Sequence, residues 1–231
     1  MRNTRTTSLH MTASQGTYNP PPDCGLDLVY CDESLLVANK PPGLLSVPGR
    51  GTDKADSLAS RIQNEFPDAL SVHRVDMSTS GLLVFARGAE MHRRLSHLFR
   101  ERGVKKCYIA MVAGCIRSSA GEVELPLGSD WPNRPQQKVD IAGGKSSLTR
   151  YRLLAQNSVM NTSRVTLEPV TGRTHQLRVH MAAIGHPIIG DKLYAGEAGA
   201  SAERLLLHAE MLCFLHPVSA EPLCLVSKAP F

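Results

Sequence analysis

Residues 26–39 read LDLVYCDESLLVAN. Two short runs of β-type residues, LDLVYC at 26–31 and SLLVAN at 34–39, are separated only by Asp32 and Glu33, which predicts a tight hairpin and an antiparallel start to the fold. Further along, strand-like runs fall at 106–113, 121–126, 147–154, 163–170, 204–215 and 222–227. Helical patterns are fewer. One is expected at 57–66, stopping at Pro67, and one at 174–184. A third, at 88–102, places Met91, Leu95, Leu98 and Phe99 on one apolar stripe and is expected to end at Gly103. Strands outnumber helices and do not alternate with them, so the expected fold is α+β, with a large central mixed, mostly antiparallel β-sheet and flanking helices.

Upstream of the hairpin, residues 1–25 are rich in Thr, Ser, Asn and Pro and end in Pro20, Pro21 and Pro22. Such a segment buries too little apolar surface to fold alone, and it reads as a flexible or surface-laid arm. It is also too short for a separate small RNA-binding module. Residues 26–231 are then expected to form a single domain, which 42% hydrophobic side chains can fill with a core. No internal repeat is evident.

The 26 Lys and Arg against 21 Asp and Glu give a formal charge of +5. The window 87–106 alone nets +5, equal to the whole-chain excess, since Arg87, Arg93, Arg94, Arg100, Arg102, Lys105 and Lys106 face only Glu90 and Glu101. A solvated helix face explains such a run as well as a phosphate-contacting surface does; its neighbouring motifs favour phosphate. The six cysteines form no C-x-x-C pair and read as reduced, mostly buried thiols. Without an apolar run of membrane-spanning length or a charged-then-apolar start, no membrane association and a cytoplasmic location are expected.

Residues 73–86, HRVDMSTSGLLVFA, join a histidine, two charged groups and a Ser/Thr/Gly turn to a buried strand, which aims Asp76 out of a rigid scaffold. Asp in such a turn also serves as a backbone cap. Arg74 is two positions away, and TGRTHQLRVHM at 171–181 adds Arg173 and Arg178 as cationic partners. KKCYIAMVAG at 105–114 sets Tyr108 beside Lys105 and Lys106; such a tyrosine is either a core residue or a site residue. His175 and His180 lie five apart on the predicted helix, about 140° from each other, which does not suit the spacing of a zinc protease. His208 and His216 have no third ligand in register, and all four read as structural, so no metal is expected.

Together, HRVDMSTSGLLVFA, KKCYIAMVAG and TGRTHQLRVHMAAIGHPIIGDKLY at 171–194 resemble, in order and spacing, the motifs of the RluA family of pseudouridine synthases. NKPPGLLSVPG at 39–49, SDWPNRPQQKV at 129–139 and RLLLHAEML at 204–212 are similar to the RluA branch, whose members lack an appended S4-type RNA-binding domain. One departure is Val75 where the family usually carries Leu; both are apolar.

The resemblance implies an enzyme that breaks the N1 glycosidic bond of a uridine in RNA, turns the uracil and rejoins it through C5, without metal or cofactor. Asp76 matches the catalytic aspartate, Arg178 the arginine paired with it, and Tyr108 the active-site tyrosine that stacks on the base and is a candidate for the late proton step. Leu207 is an apolar wall of the pocket. Arg74 helps fill the place of the flipped base and His73 braces the turn; Arg173 is expected to bind RNA or substrate, while Arg93, Arg94, Arg100, Lys105 and Lys106 hold phosphates. Expected partners are structured RNAs, a tRNA anticodon stem-loop and loops of large-subunit (23S) ribosomal RNA, acted on by a monomer. Two other readings remain at this point: a two-carboxylate glycosidase or base-excising enzyme, and a non-catalytic RNA-binding or RNA-folding protein with a synthase fold.

Overall fold

A computed structural model describes residues 18–197 and 201–231. In chain order its elements are β1 (Leu28–Cys31), β2 (Leu35–Lys40), α1 (Leu58–Glu65), β3 (Ala69–Ser71), β4 (Ser80–Arg87), α2 (Gly88–Arg100), β5 (Lys105–Ala113), β6 (Ala120–Glu124), β7 (Leu127–Ser129), β8 (Gln137–Val139), β9 (Leu148–Asn157), β10 (Thr162–Pro169), α3 (Gln176–Ala183), β11 (Leu207–Leu215) and β12 (Pro222–Val226). Ten strands form one sheet with the path β1-β2-β4-β11-β5-β10-β9-β6, to which β12 adds on β11 and β3 on β4. The pair β7–β8 stands apart as a small ribbon. Every pairing is antiparallel except β4–β11. The α+β architecture expected from the sequence is the one observed.

The parallel β4–β11 ladder is short, with His208 opposite Ser80 and Ala209 opposite Gly81. Beyond it β4 pairs with β3 and β11 with β12, so among the described residues the two halves of the sheet are hydrogen-bonded to each other through this short seam. Gly81 makes the joint possible. Its φ of 109° suits glycine, and a Cβ there would lie 2.3 Å from the Ala209 carbonyl oxygen. The turn that carries Asp76 ends immediately before this seam.

Buried residues form three clusters. The α2 stripe of Met91, Leu95, Leu98 and Phe99 packs on β2, β4 and β11, while Leu58, Ala59 and Ile62 of α1 cover the other face of β2 and β4. A third cluster joins Leu177 and Met181 of α3 to β5, β10 and Ile188. At the end of α2, Arg102 takes the left-handed conformation (φ 59°) and the Gly103 N–H closes the last turn on the Leu98 carbonyl at 2.8 Å. Arg102, rather than Gly103, therefore supplies the left-handed residue. Helix α3 starts two residues later than its pattern predicts, because His175 is itself left-handed at φ 54°.

Two expectations need correction. Cys213 and Cys224 stand directly opposite each other across β11–β12 and are joined by a disulfide. The remaining four are not mostly buried: Cys24 and Cys31 are exposed, Cys107 and Cys115 half-buried. Of the amino-terminal arm, residues 18–25 lie against the domain. The Tyr18 hydroxyl donates to the Asp56 carbonyl at 3.0 Å, and Arg61 donates to the Pro21 carbonyl at 2.7 Å. Positions 1–17 fall outside the described residues. No helix of the described residues is long and apolar enough to cross a membrane.

Candidate active site

Asp76 sits on a turn fastened from below by the loop 39–49. The Ser46 hydroxyl donates to the Val75 carbonyl at 2.7 Å and accepts from the Val75 N–H at 3.2 Å. Gly43 N–H donates to the Met77 carbonyl. Lys40 is 1% exposed and donates to the carbonyls of Pro41, Leu44 and Met77 at 2.8, 2.7 and 2.9 Å. Burial pushes its amine down to about 7, against the pull of Asp76, and the three carbonyls match the three hydrogens of the ammonium form. The backbone is thereby held on both sides of Asp76, at Val75 and at Met77, and the carboxylate is left 24% exposed at the cleft wall.

Arg178 reaches Asp76 from the first turns of α3, with Nη1 donating to Oδ2 at 3.1 Å. Its other two nitrogens are gripped by Asp191: Nε to Oδ2 at 2.7 Å and Nη2 to Oδ1 at 2.8 Å. The Asp191 side chain is fully buried, and its Oδ1 also accepts the backbone N–H groups of Leu193 and Tyr194. Such a bidentate pair fixes the plane of the guanidinium, so its remaining face has one direction in which to meet Asp76. On the other side of Asp76, His175 Nε2 lies 3.8 Å from Oδ1.

Two adjoining clefts, of about 580 and 800 Å³, share Arg74, Asp76, Arg173, His175 and Arg178 as a common wall. Tyr108 and Leu207, on neighbouring strands β5 and β11, line the smaller one together with His73, Arg100 and Lys106. Burial, with Asp76 adding to it, raises the Tyr108 hydroxyl above its ordinary range, which keeps it a neutral phenol. His73 stacks on Phe99 with ring centroids 4.4 Å apart and accepts the Val84 N–H at 3.1 Å. Burial first, then Lys106, pushes it down to about 3, which suits an acceptor nitrogen.

The basic run of 87–106 is not one surface. Arg100 and Lys106 line the cleft, as does Arg102. Arg93 and Arg94 instead both pair with Glu90, and Arg94 also donates to the Pro217 carbonyl. Lys105 is exposed, and strand alternation turns it to the face of β5 opposite Lys106 and Tyr108. These three residues are outside both clefts. Sequence reading missed Lys40, Asp191 and Tyr194 as site residues and took His175 as structural. All four lie in segments already quoted for the resemblance, but their roles rest on contacts that only folding makes. His180, by contrast, is buried and bonded to Thr149, and His208 to Ser80 and the Ser227 carbonyl.

The smaller cleft, with Asp76 as its one lining carboxylate among the described residues, an arginine fixed beside it and a tyrosine wall, has a chemistry shared by a known class. The family described as RNA pseudouridylate synthase matches residues 34–183. A solved structure titled Human RNA Pseudouridylate Synthase Domain Containing 1 superposes with a TM-score of 0.78 at 30% identity, covering 92% of this chain and 87% of that one. The chain belongs to the RNA pseudouridylate synthase family, and is an isomerase that acts on RNA. Within the family it falls in the RluA branch. The dual-specificity RNA pseudouridine synthase RluA of Escherichia coli (strain K12) is 51% identical over 215 residues, 93% of this chain and 98% of that protein. The protein of the same name from Vibrio cholerae serotype O1 is 52% identical over 203 residues, 87% of this chain and 82% of its own.

Proposed function

We propose that the protein converts uridines in RNA loops to pseudouridine, in a tRNA anticodon stem-loop and in 23S ribosomal RNA, with Asp76 as the catalytic carboxylate. The observation that carries this is the Asp76–Arg178–Asp191 arrangement at the wall shared by both clefts. The dual-specificity relatives support two RNA classes as substrates. A uracil stacked in a stem is out of reach of a cleft of this kind, so the target nucleotide must leave the stack, which costs least in a loop. Arg74, exposed at the shared wall, is placed to fill the gap it leaves. Arg100, Arg102, Lys106 and Arg173 would meet the phosphates.

Once the base is in the cleft, Asp76 attacks the sugar or the base, the N1–C1′ bond breaks, uracil turns against Tyr108 and Leu207, and a C5–C1′ bond forms while the bond to Asp76 breaks and returns the free carboxylate. The hydrogen on C5 leaves as a proton and N1 ends protonated, so no atom is gained or lost. A phenol with a raised pKa stacks on the base and accepts that proton only in concert with its onward transfer. Hydrolysis by two carboxylates is not favoured, because among the described residues Asp76 is the one carboxylate lining the smaller cleft, where Tyr108 and Leu207 lie, and Asp191 has both oxygens committed to Arg178. The enzyme works as a cytoplasmic monomer, with residues 26–231 as its catalytic domain.

To test this, anticodon stem-loop and 23S fragments are incubated with the protein and digested to nucleosides. Pseudouridine replacing uridine one for one, with no free uracil, is expected. Free uracil would identify base excision instead.

A further inference from the structure

The backbone N–H of Gln137 donates to the Tyr194 hydroxyl oxygen at 2.8 Å, and that hydroxyl lies 2.6 Å from His175 Nδ1. With its oxygen already accepting from a backbone N–H, Tyr194 has its own hydrogen to give, and the neutral imidazole takes it on Nδ1. The hydrogen of His175 then resides on Nε2, which faces Asp76 Oδ1 at 3.8 Å. Burial, the largest influence on His175, favours this neutral form. We propose that Tyr194 and His175 are positioning residues that set the Asp76 carboxylate from the side opposite Arg178, through a relay anchored on the Gln137 backbone of β8.

This inference rests on Asp76 being the catalytic carboxylate and says how it is aimed. Arg178 makes one hydrogen bond to Oδ2, at 3.1 Å, which leaves the carboxylate as a whole room to swing about its last side-chain torsion; a donor on Oδ1 narrows that swing. A donor at 3.8 Å is one small movement from a hydrogen bond, and catalytic contacts of this sort often tighten only when substrate is bound. The backbone supports the same reading. His175 is held at φ 54°, ψ 17°, a conformation that histidine adopts at a cost and that points its ring between Tyr194 and Asp76. The two rings meet edge to face at 5.6 Å and 77°, which leaves the imidazole little freedom to rotate.

Two substitutions separate aiming from mere packing. Asn places its polar atoms near where Nδ1 stands and tolerates the left-handed backbone, so His175→Asn keeps the Tyr194 partner and the fold but loses the donor to Asp76. Gln reaches the place of Nε2 but is strained at this φ, so His175→Gln keeps the donor and loses stability. The experiment measures single-turnover pseudouridine formation on an anticodon stem-loop, RNA affinity and melting temperature for both, with Tyr194→Phe, the double variant Tyr194→Phe/His175→Asn and Asp76→Asn alongside.

The relay predicts that His175→Asn turns over about 10- to 100-fold more slowly than wild type while binding RNA within a few-fold and melting no lower. His175→Gln should melt lower yet stay within a few-fold of the wild-type rate. Tyr194→Phe should slow the wild type about tenfold and add nothing in the His175→Asn background, as expected for two members of one chain. Rates that follow melting temperature, or full-rate His175→Asn with Asp76→Asn inactive, would overturn the relay alone. Turnover that survives Asp76→Asn would overturn the catalytic assignment and the relay with it.

Discussion

Arg178 divides one guanidinium between two carboxylates of different kind: Asp191, sealed in the core, and Asp76, open to the cleft. A lysine at this position could approach either acid as a point charge but could not present three nitrogens in fixed directions. Arg178→Lys is therefore expected to lower turnover on the order of 100-fold, the scale associated with about 1 Å of misplacement, while leaving RNA affinity within a few-fold. Equal losses in binding and turnover, read from titrations and single-turnover rates, would place Arg178 in RNA contact instead. At this scale Asp76, Tyr108 and Arg178 were legible because each stands in a local motif. Asp191 and Lys40 were not, because their roles depend on contacts that folding makes: Asp191 with Arg178, 13 residues away, and Lys40 with the Met77 carbonyl, 37 residues away, besides the nearby carbonyls of Pro41 and Leu44.

Helix α2 and strand β5 show how an element sorts residues that composition lumps together. The periodicity of α2 was readable and its apolar stripe packs as expected, but its charges do not act together: Glu90 absorbs Arg93 and Arg94, while Arg100 turns to the cleft. On β5 the period of two divides adjacent lysines between faces. Lys106→Ala is accordingly expected to weaken RNA binding and to reduce the slope of log affinity against log salt by about one, whereas Lys105→Ala should change neither. Equal effects from the two would contradict the face assignment. The elements hidden from sequence were the short ones, β3, β7 and β8 at three residues each, too brief for any period to show. The Cys213–Cys224 link was hidden for a related reason, since it depends on the register of β11 with β12 rather than on spacing between cysteines.

For the whole molecule, the mixed and mostly antiparallel sheet followed from counting strands, but the β4–β11 seam that places the Asp76 turn beside both halves did not. That seam depends on residues more than 120 apart in the chain, Ser80 and His208 among them. Desolvated imidazoles also tie overall stability to pH. His73, His180 and His208 are all held below the usual histidine range, burial being the leading cause in each, with His73 at about 3. In the unfolded chain these groups take up protons near pH 6.5, so between about 6.5 and 3 the unfolded state binds more protons than the folded one. Their contribution to stability is complete above about pH 6.5 and is lost as pH falls toward 3. Urea midpoints should drop between pH 7.5 and pH 5, and His73→Gln, which offers Val84 an acceptor that does not titrate there, should flatten the dependence. An unchanged slope in that variant would remove His73 from the account.

The most direct measurement is tritium release from tRNA and 23S transcripts labelled at uridine C5, with wild type and Asp76→Asn compared at equal RNA occupancy. Isomerisation must expel the C5 hydrogen, so the account predicts release by the wild type and none by Asp76→Asn, which should bind the same RNA within a few-fold. Release by Asp76→Asn at a rate near that of the wild type would contradict it.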